Sequence, residues 1–230
     1  MRRSILVGFI SCCYVLTAQP RYDLIREGDQ PTAVRLILGG WACRYKGLPD
    51  GRRQIVSFLI PGDFCDLNVY VLKQMDHSIG AVTRVNYAQI PPEEIERIIG
   101  ERPRVAQALL WHELVSSSIQ REWMLNVGQR SAQESISHLL LELFFRLRAV
   151  GLTDDSSCDF PITQTDIGEA TGLTSVHVNR TLQDLRRDNL IELERKRLHI
   201  PDIERLMDVA MFKPNYLHLD HEGRHLDANA

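Results

Sequence analysis

Hydrophobic and polar positions change rhythm along the chain. From Arg21 to Ile90, short runs rich in β-branched and aromatic residues (Val34 to Leu38, Trp41 to Tyr45, Gln54 to Leu59, Ser78 to Ile90) alternate with turn clusters: Glu27-Gly28-Asp29, Gly39-Gly40, Pro49-Asp50-Gly51 and Pro61-Gly62-Asp63. That spacing predicts an antiparallel jelly roll or barrel. Pro91-Pro92 ends it, and Glu93-Glu94 places acidic side chains in the first turn of a helix, where the positive dipole end favours them. Pro103 can open a longer helix to about Val127, since no proline or glycine interrupts the run before Gly128. Ala108, His112, Val115, Ile119 and Glu122 recur along it at alternating spacings of four and three. This pattern predicts either a seam between paired helices or an amphipathic face packed on the helix's own domain. A further helix, Ala132 to about Val150, is apolar on one side through Ile136, Leu139, Leu140, Leu143 and Leu147, and should open a second core. Gly151 to Asp159 reads as a polar loop.

The next segment carries the sharpest local chemistry. Thr163-Gln164-Thr165-Asp166 has the form of a capping box with aspartate in place of glutamate, and Ile167 and Ala170 give the following short helix its buried side. Gly172 suits a sharp turn, Leu173 plugs the angle, and Thr174 can cap a second helix to about Asp188, with Asn189 as the stop. At about 100° per residue, Val178, Leu182 and Leu185 form one narrow stripe. The opposite face then holds Val176, Arg180, Gln183 and Arg187, flanked by His177 and Asn179. Arginine, asparagine and glutamine can make paired hydrogen bonds to purine edges, and a major groove admits one helix. Leu190 to Glu194 and Arg197 to Ile200 alternate apolar and polar, which predicts a hairpin with Arg195-Lys196 at a basic tip placed for phosphates.

Composition narrows the function classes. The 230 residues, 44% hydrophobic and 25% charged, suit two modest folded domains. A net charge of −3 supplies no global attraction for nucleic acid, so DNA binding must come from a local basic surface. Cys12, Cys13, Cys43, Cys65 and Cys158 include no C-x-x-C pair, which fits a reducing cytoplasm and points to no metal site or cofactor. The roll offers His77 as its single histidine and no usefully spaced carboxylate pair, so no catalytic apparatus is visible and an enzyme is not expected. Met1-Arg2-Arg3 followed by the apolar run Ser4 to Ala18 has the layout of a secretory signal. The alternatives are a helix or strand packed on the first domain, or a misassigned start. No later stretch is apolar enough for a membrane span.

From about Tyr22 to Leu219 the sequence resembles the Crp/Fnr family of bacterial regulators, most specifically over Pro161 to Leu185 and, in the roll, over Leu24 to Asp29 and Gly51 to Ile55. The resemblance implies an α+β chain. Residues 1–20 form an atypical N-terminal segment and 21–100 an antiparallel sensor roll like a cyclic-nucleotide-binding jelly roll. Residues 101–128 form a connecting and dimerisation helix, 129–217 a winged helix-turn-helix that binds DNA, and 218–230 a polar tail. It also implies that Arg180 contacts a base, that Thr174, Ser175, Val176 and His177 form the first turn of the recognition helix, and that Thr163 and Thr165 meet phosphates. His177 can equally be an ordinary surface histidine. The implied effector pocket comprises Cys65, Asp66, Leu67, His77 and Ser78. Cyclic-nucleotide-binding members carry Gly-Glu and Arg-Ser where this chain has Cys65-Asp66 and His77-Ser78. The phosphate-binding arginine is therefore missing, Asp66 would repel a phosphate, and cyclic AMP is not expected. Cys65 is open to two readings, a redox-sensitive thiol or an inert buried one.

The function expected is a homodimeric, sequence-specific regulator of double-stranded DNA, with RNA polymerase as a candidate partner, an unidentified small-molecule effector and no membrane. The competing expectation is a small-molecule or redox sensor whose winged helix docks a protein.

Overall fold

A computed structural model describes residues 13–67 and 72–219. The chain divides into two compact units, one holding residues up to 52 and 57–113, the other Arg53–Val56 and the described residues from Leu114 onward.

The first unit is the expected roll. Strands β1 (Tyr14–Ala18), β2 (Asp23–Ile25), β3 (Val34–Gly39), β4 (Ala42–Gly47), β5 (Arg53–Leu59), β6 (Ser78–Ala81) and β7 (Val85–Ile90) form two sheets, ordered β1-β7-β3 and β2-β6-β4-β5. β7 pairs antiparallel with both neighbours in its sheet, Leu16 opposite Tyr87 and Leu36 opposite Ala88. Val34, Ile37, Ile79, Val85 and Ile90 are fully buried, joined by Ile95 from helix α1 (Pro92–Glu101).

The apolar run Ser78 to Ile90 is not one strand. It breaks at Val82–Arg84, where the amides of Val82 and Thr83 donate to the Trp41 carbonyl and the chain passes from one sheet to the other. The break depends on Gly40, since a Cβ there would lie 2.0 Å from the Arg84 carbonyl oxygen. β1 is the tail of the signal-like run Ser4 to Ala18, and the run's residues before Cys13 lie outside the described residues.

Helix α2 spans Pro103–Gly128. Of the residues read as a seam, Ile119 is buried and Ala108, His112, Val115 and Glu122 are half-buried; His112 sits edge-on to Phe64, and Glu122 accepts from Arg130. The exposed stripe instead runs through Leu110, Leu114, Ser117, Arg121 and Met124, with the same alternation of four and three. The helix is apolar on two sides, and periodicity alone cannot say which side its own fold takes.

In the second unit, Ser131 and Glu134 form a capping box that opens helix α3 (Ala132–Ala149). Its Ile136, Leu139, Leu140, Leu143 and Leu147 are all buried. A polar network lies inside this core. The fully buried Glu142 carboxylate accepts from Trp123 Nε1 at 3.0 Å and from the Tyr216 hydroxyl at 3.3 Å, and burial raises its pKa. His138 stacks on Tyr216 and accepts from Asn126 Nδ2 at 3.3 Å; burial, aided by the Arg130 charge, lowers it to about 3.

The polar segment Gly151 to Asp159, expected to be a loop, folds into a hairpin of β8 (Thr153–Asp154) and β9 (Ser157–Asp159). Cys158 is its buried residue, and β9 pairs with the later hairpin of β10 (Glu192–Glu194) and β11 (Arg197–His199) in a sheet ordered β10-β11-β9-β8. With so few residues per strand, cross-strand pairing rather than local alternation creates the element. Helices α4 (Gln164–Thr171), α5 (Ser175–Arg187) and α6 (Ile203–Ala210) and a 3-10 turn at Pro214–Leu217 complete the unit. No helix among the described residues is long and apolar enough to cross a membrane.

Candidate nucleic-acid interface

Helices α4 and α5 form the expected helix-turn-helix, and each local device is present. Thr163 and Asp166 close the capping box: the Thr163 hydroxyl accepts from the Asp166 amide at 3.2 Å, and the Asp166 carboxylate accepts from the Thr163 amide at 2.8 Å. Gly172 adopts φ 74°, the left-handed conformation that ends α4, and its amide donates to the Gly168 carbonyl at 2.8 Å. Thr174 caps α5 by accepting from the His177 amide. The turn is also compressed at a position that sequence reasoning passed over. A Cβ on Gly168 would lie 2.6 Å from the Leu173 carbonyl oxygen, so only glycine lets α4 approach the turn this closely.

Val178, Leu182 and Leu185 each have zero exposure, which fixes the rotation of α5. Ser175, Val176, His177, Arg180, Gln183 and Arg187 are exposed, and Val176 is 79% accessible. These residues differ in freedom. The Arg180 guanidinium has no hydrogen bond or ion pair among the described residues, whereas Arg187 is held by Asp184 at 2.7 Å and Asp188 at 3.3 Å. Asn179 is half-buried and both ends of its amide are engaged: it donates to Gln164 Oε1 at 3.1 Å and accepts from Gln183 Nε2 at 3.0 Å. Gln164 thus belongs to this surface although the wheel of α5 could not show it, being a contribution from the preceding helix. Thr163 and Thr165 are exposed at the start of α4, but the Thr163 hydroxyl also donates to Asp166 at 2.7 Å.

The wing is built as the alternation predicts. Arg195 and Lys196 occupy its two-residue tip at φ 48° and 63°, and both side chains are exposed. A two-residue hairpin turn with both φ positive normally carries glycine or asparagine, and non-glycine residues there cost about 1 kcal/mol or more each. The positions nevertheless hold two cations, which suits contact with a polyanion.

The five residues expected to form an effector pocket lie in the roll, and their polar atoms are largely engaged. Asp66 is buried; its carboxylate accepts from the Arg35 amide and from Arg35 NH1, each at 3.0 Å. Burial raises its pKa to about 6 despite that partner. Arg35, 31 residues away in sequence, thus offsets the Asp66 charge expected to repel a phosphate. Cys65 has zero exposure, its carbonyl accepts from Arg44 Nε at 3.0 Å, and burial pushes its thiol up. Leu67 is buried. Ser78 Oγ accepts from the Glu27 amide at 2.9 Å, and His77 Nδ1 lies 2.7 Å from Asp76. Among the described residues no group of three or more histidines, cysteines and carboxylates is placed to hold a metal ion.

Comparison with known proteins agrees with this architecture. A profile described as a cyclic nucleotide-binding domain matches residues 16–102, and one described as a Crp-like helix-turn-helix domain matches residues 134–209. The chain is 30% identical over 201 residues to the transcriptional activator protein FnrL of Cereibacter sphaeroides, covering 86% of this chain and 80% of that one. It is 36% identical over 168 residues to the nitrogen fixation regulation protein FixK of Bradyrhizobium diazoefficiens, covering 73% and 69%. To the transcriptional activatory protein AadR of Rhodopseudomonas palustris it is 34% identical over 197 residues, covering 84% and 77%. Among solved structures, FixK2 from Bradyrhizobium japonicum superposes with a TM-score of 0.77 at 23% identity, over 86% of this chain and 96% of that one.

Proposed function

The chain belongs to the Crp/Fnr family of transcription regulators, and from that premise we propose that it binds a roughly palindromic DNA site sequence-specifically as a homodimer. One observation carries the proposal: Val178, Leu182 and Leu185 are wholly buried, which turns Arg180, unpaired among the described residues, outward on the α5 face a major groove would receive. In this reading Val176, Arg180 and Gln183 face base edges, and Ser175 and His177 stand in the first turn beside them. Thr163, Thr165, Thr174 and the wing cations Arg195 and Lys196 meet phosphates. Asn179 and Arg187, already bonded within the unit, support these contacts.

The exposed stripe on α2 supports the homodimer. Leu110, Leu114 and Met124 are 61%, 59% and 73% exposed, an unusual cost for a lone helix and the spacing that a second copy of the same helix would cover.

The sensor roll, in the same proposal, does not take cyclic AMP. A ligand entering at Cys65, Asp66, Leu67, His77 and Ser78 would have to displace Arg35 from Asp66 and the Glu27 amide from Ser78, with no free arginine offered for its phosphate at positions 77 and 78. The protein works in the cytoplasm, has no catalytic role, and contacts RNA polymerase when bound at a promoter.

Three measurements test this reading. Fluorescence anisotropy with duplexes enriched from a randomised pool should give saturable binding that weakens steeply with salt. Light scattering should give the mass of two chains. Calorimetry with cyclic AMP should give no heat of binding. Absence of any enriched duplex would overturn the reading.

A further inference from the structure

We propose that Val176 is a base reader, recognising the C5 methyl group of a thymine next to the base read by Arg180. The inference rests on the DNA-binding reading above and deepens it.

Among the described residues Val176 is the most exposed of the large apolar side chains, at 79%, and it lies in the first turn of α5. Nothing in the fold calls for valine there. At that exposure the residue buries little surface, and a β-branched side chain is a poorer helix former than alanine. With no polar atom it can neither donate to nor accept from a base or a phosphate. In the major groove, the thymine methyl is the one base-edge feature recognised by an apolar contact.

Position supports the same chemistry. Val176 and Arg180 are four residues apart and share one helix face. Their separation along the axis is about 6 Å, or about two base-pair steps of 3.4 Å. A valine in a helix is held near a single rotamer, so ordering it against a methyl group costs little. The nearby Asn179 amide is oriented by its bonds to Gln164 and Gln183.

The test uses the full-length protein and its Val176→Ala variant. Duplexes are enriched from a randomised pool with wild type, and the consensus is resynthesised with deoxyuridine replacing thymidine at one position at a time, which removes only the methyl group. At one thymine per half-site, within about two base pairs of the arginine-read base, wild type should lose about fourfold in affinity, and about fifteenfold when both half-sites are changed. Val176→Ala, which alters both half-sites of the dimer at once, should bind the unmodified consensus up to about fifteenfold more weakly than wild type and respond far less to either replacement. Neutral replacement at every thymine, or the same loss in Val176→Ala as in wild type, overturns the inference while leaving the protein a DNA binder. Failure of wild type to enrich any duplex overturns the DNA-binding reading itself, and this inference with it.

Discussion

Replacing Gly168 with alanine sets two known effects against each other at one atom. An alanine in a helix interior gains about 1 kcal/mol over glycine, so the substitution should stabilise α4 if space allowed. The added Cβ would lie 2.6 Å from the Leu173 carbonyl oxygen and 3.7 Å from Val178 Cγ2. Relief to about 3.3 Å requires roughly 0.7 Å of separation between α4 and the turn, and overpacking of this kind costs about 1–3 kcal/mol. The turn cannot yield cheaply, because the amides of Gly172 and Leu173 donate to the Gly168 carbonyl at 2.8 and 3.1 Å. The expected net effect is a loss of up to about 2 kcal/mol, together with displacement of α5 and weaker DNA binding at matched folded fraction. Gly100 in α1, where an added Cβ meets nothing within 4 Å, is the control, and Gly100→Ala should be neutral or stabilising. Urea unfolding followed by circular dichroism, with DNA affinity beside it, measures both. A Gly168→Ala protein as stable as wild type, with unchanged affinity, would refute the argument.

Acid should erode the second unit through His138. Its pKa is about 3 in the fold against about 6.5 for an unperturbed histidine, so its contribution is whole above pH 6.5 and declines as pH falls from 6.5 toward 3, by up to about 5 kcal/mol. Comparing urea unfolding of wild type and His138→Phe at pH 7 and pH 4.5 cancels the other titrating groups; the variant should lose less on acidification, and equal losses would contradict the assignment. Leu110→Glu with Leu114→Glu should shift the protein from two chains to one by light scattering, whereas a persistent dimer would place the interface elsewhere. Arg195→Ala should weaken enriched and unrelated duplexes alike and flatten the dependence on salt, and selective loss of the enriched site alone would mean that the wing reads sequence.

The helix-turn-helix was legible because its determinants are local. Thr163 with Asp166, Gly172, Thr174 and the stripe Val178, Leu182 and Leu185 act within a few residues of one another, so spacing alone places them. What escaped was set by distant partners. Gln164 reaches Asn179 from the preceding helix, Arg35 offsets Asp66 from β3, and Gly168 is required by a carbonyl beyond its own helix. The hairpin at Thr153–Asp159 exists because β11 pairs with it, and its own polar composition gives no warning. On α2 the period was legible and left two readings, since the helix carries two stripes at that spacing and only the folded unit decides which of them its own core takes.

The central claim is that burial of one edge of α5 turns Arg180 toward a DNA groove. Anisotropy titration of Arg180→Ala against the enriched duplex and an unrelated duplex, over a range of salt, tests it most directly. The account predicts a loss of about 1–3 kcal/mol on the enriched site, with far less on the unrelated one. Equal affinity of Arg180→Ala and wild type for the enriched site at every salt concentration would contradict it.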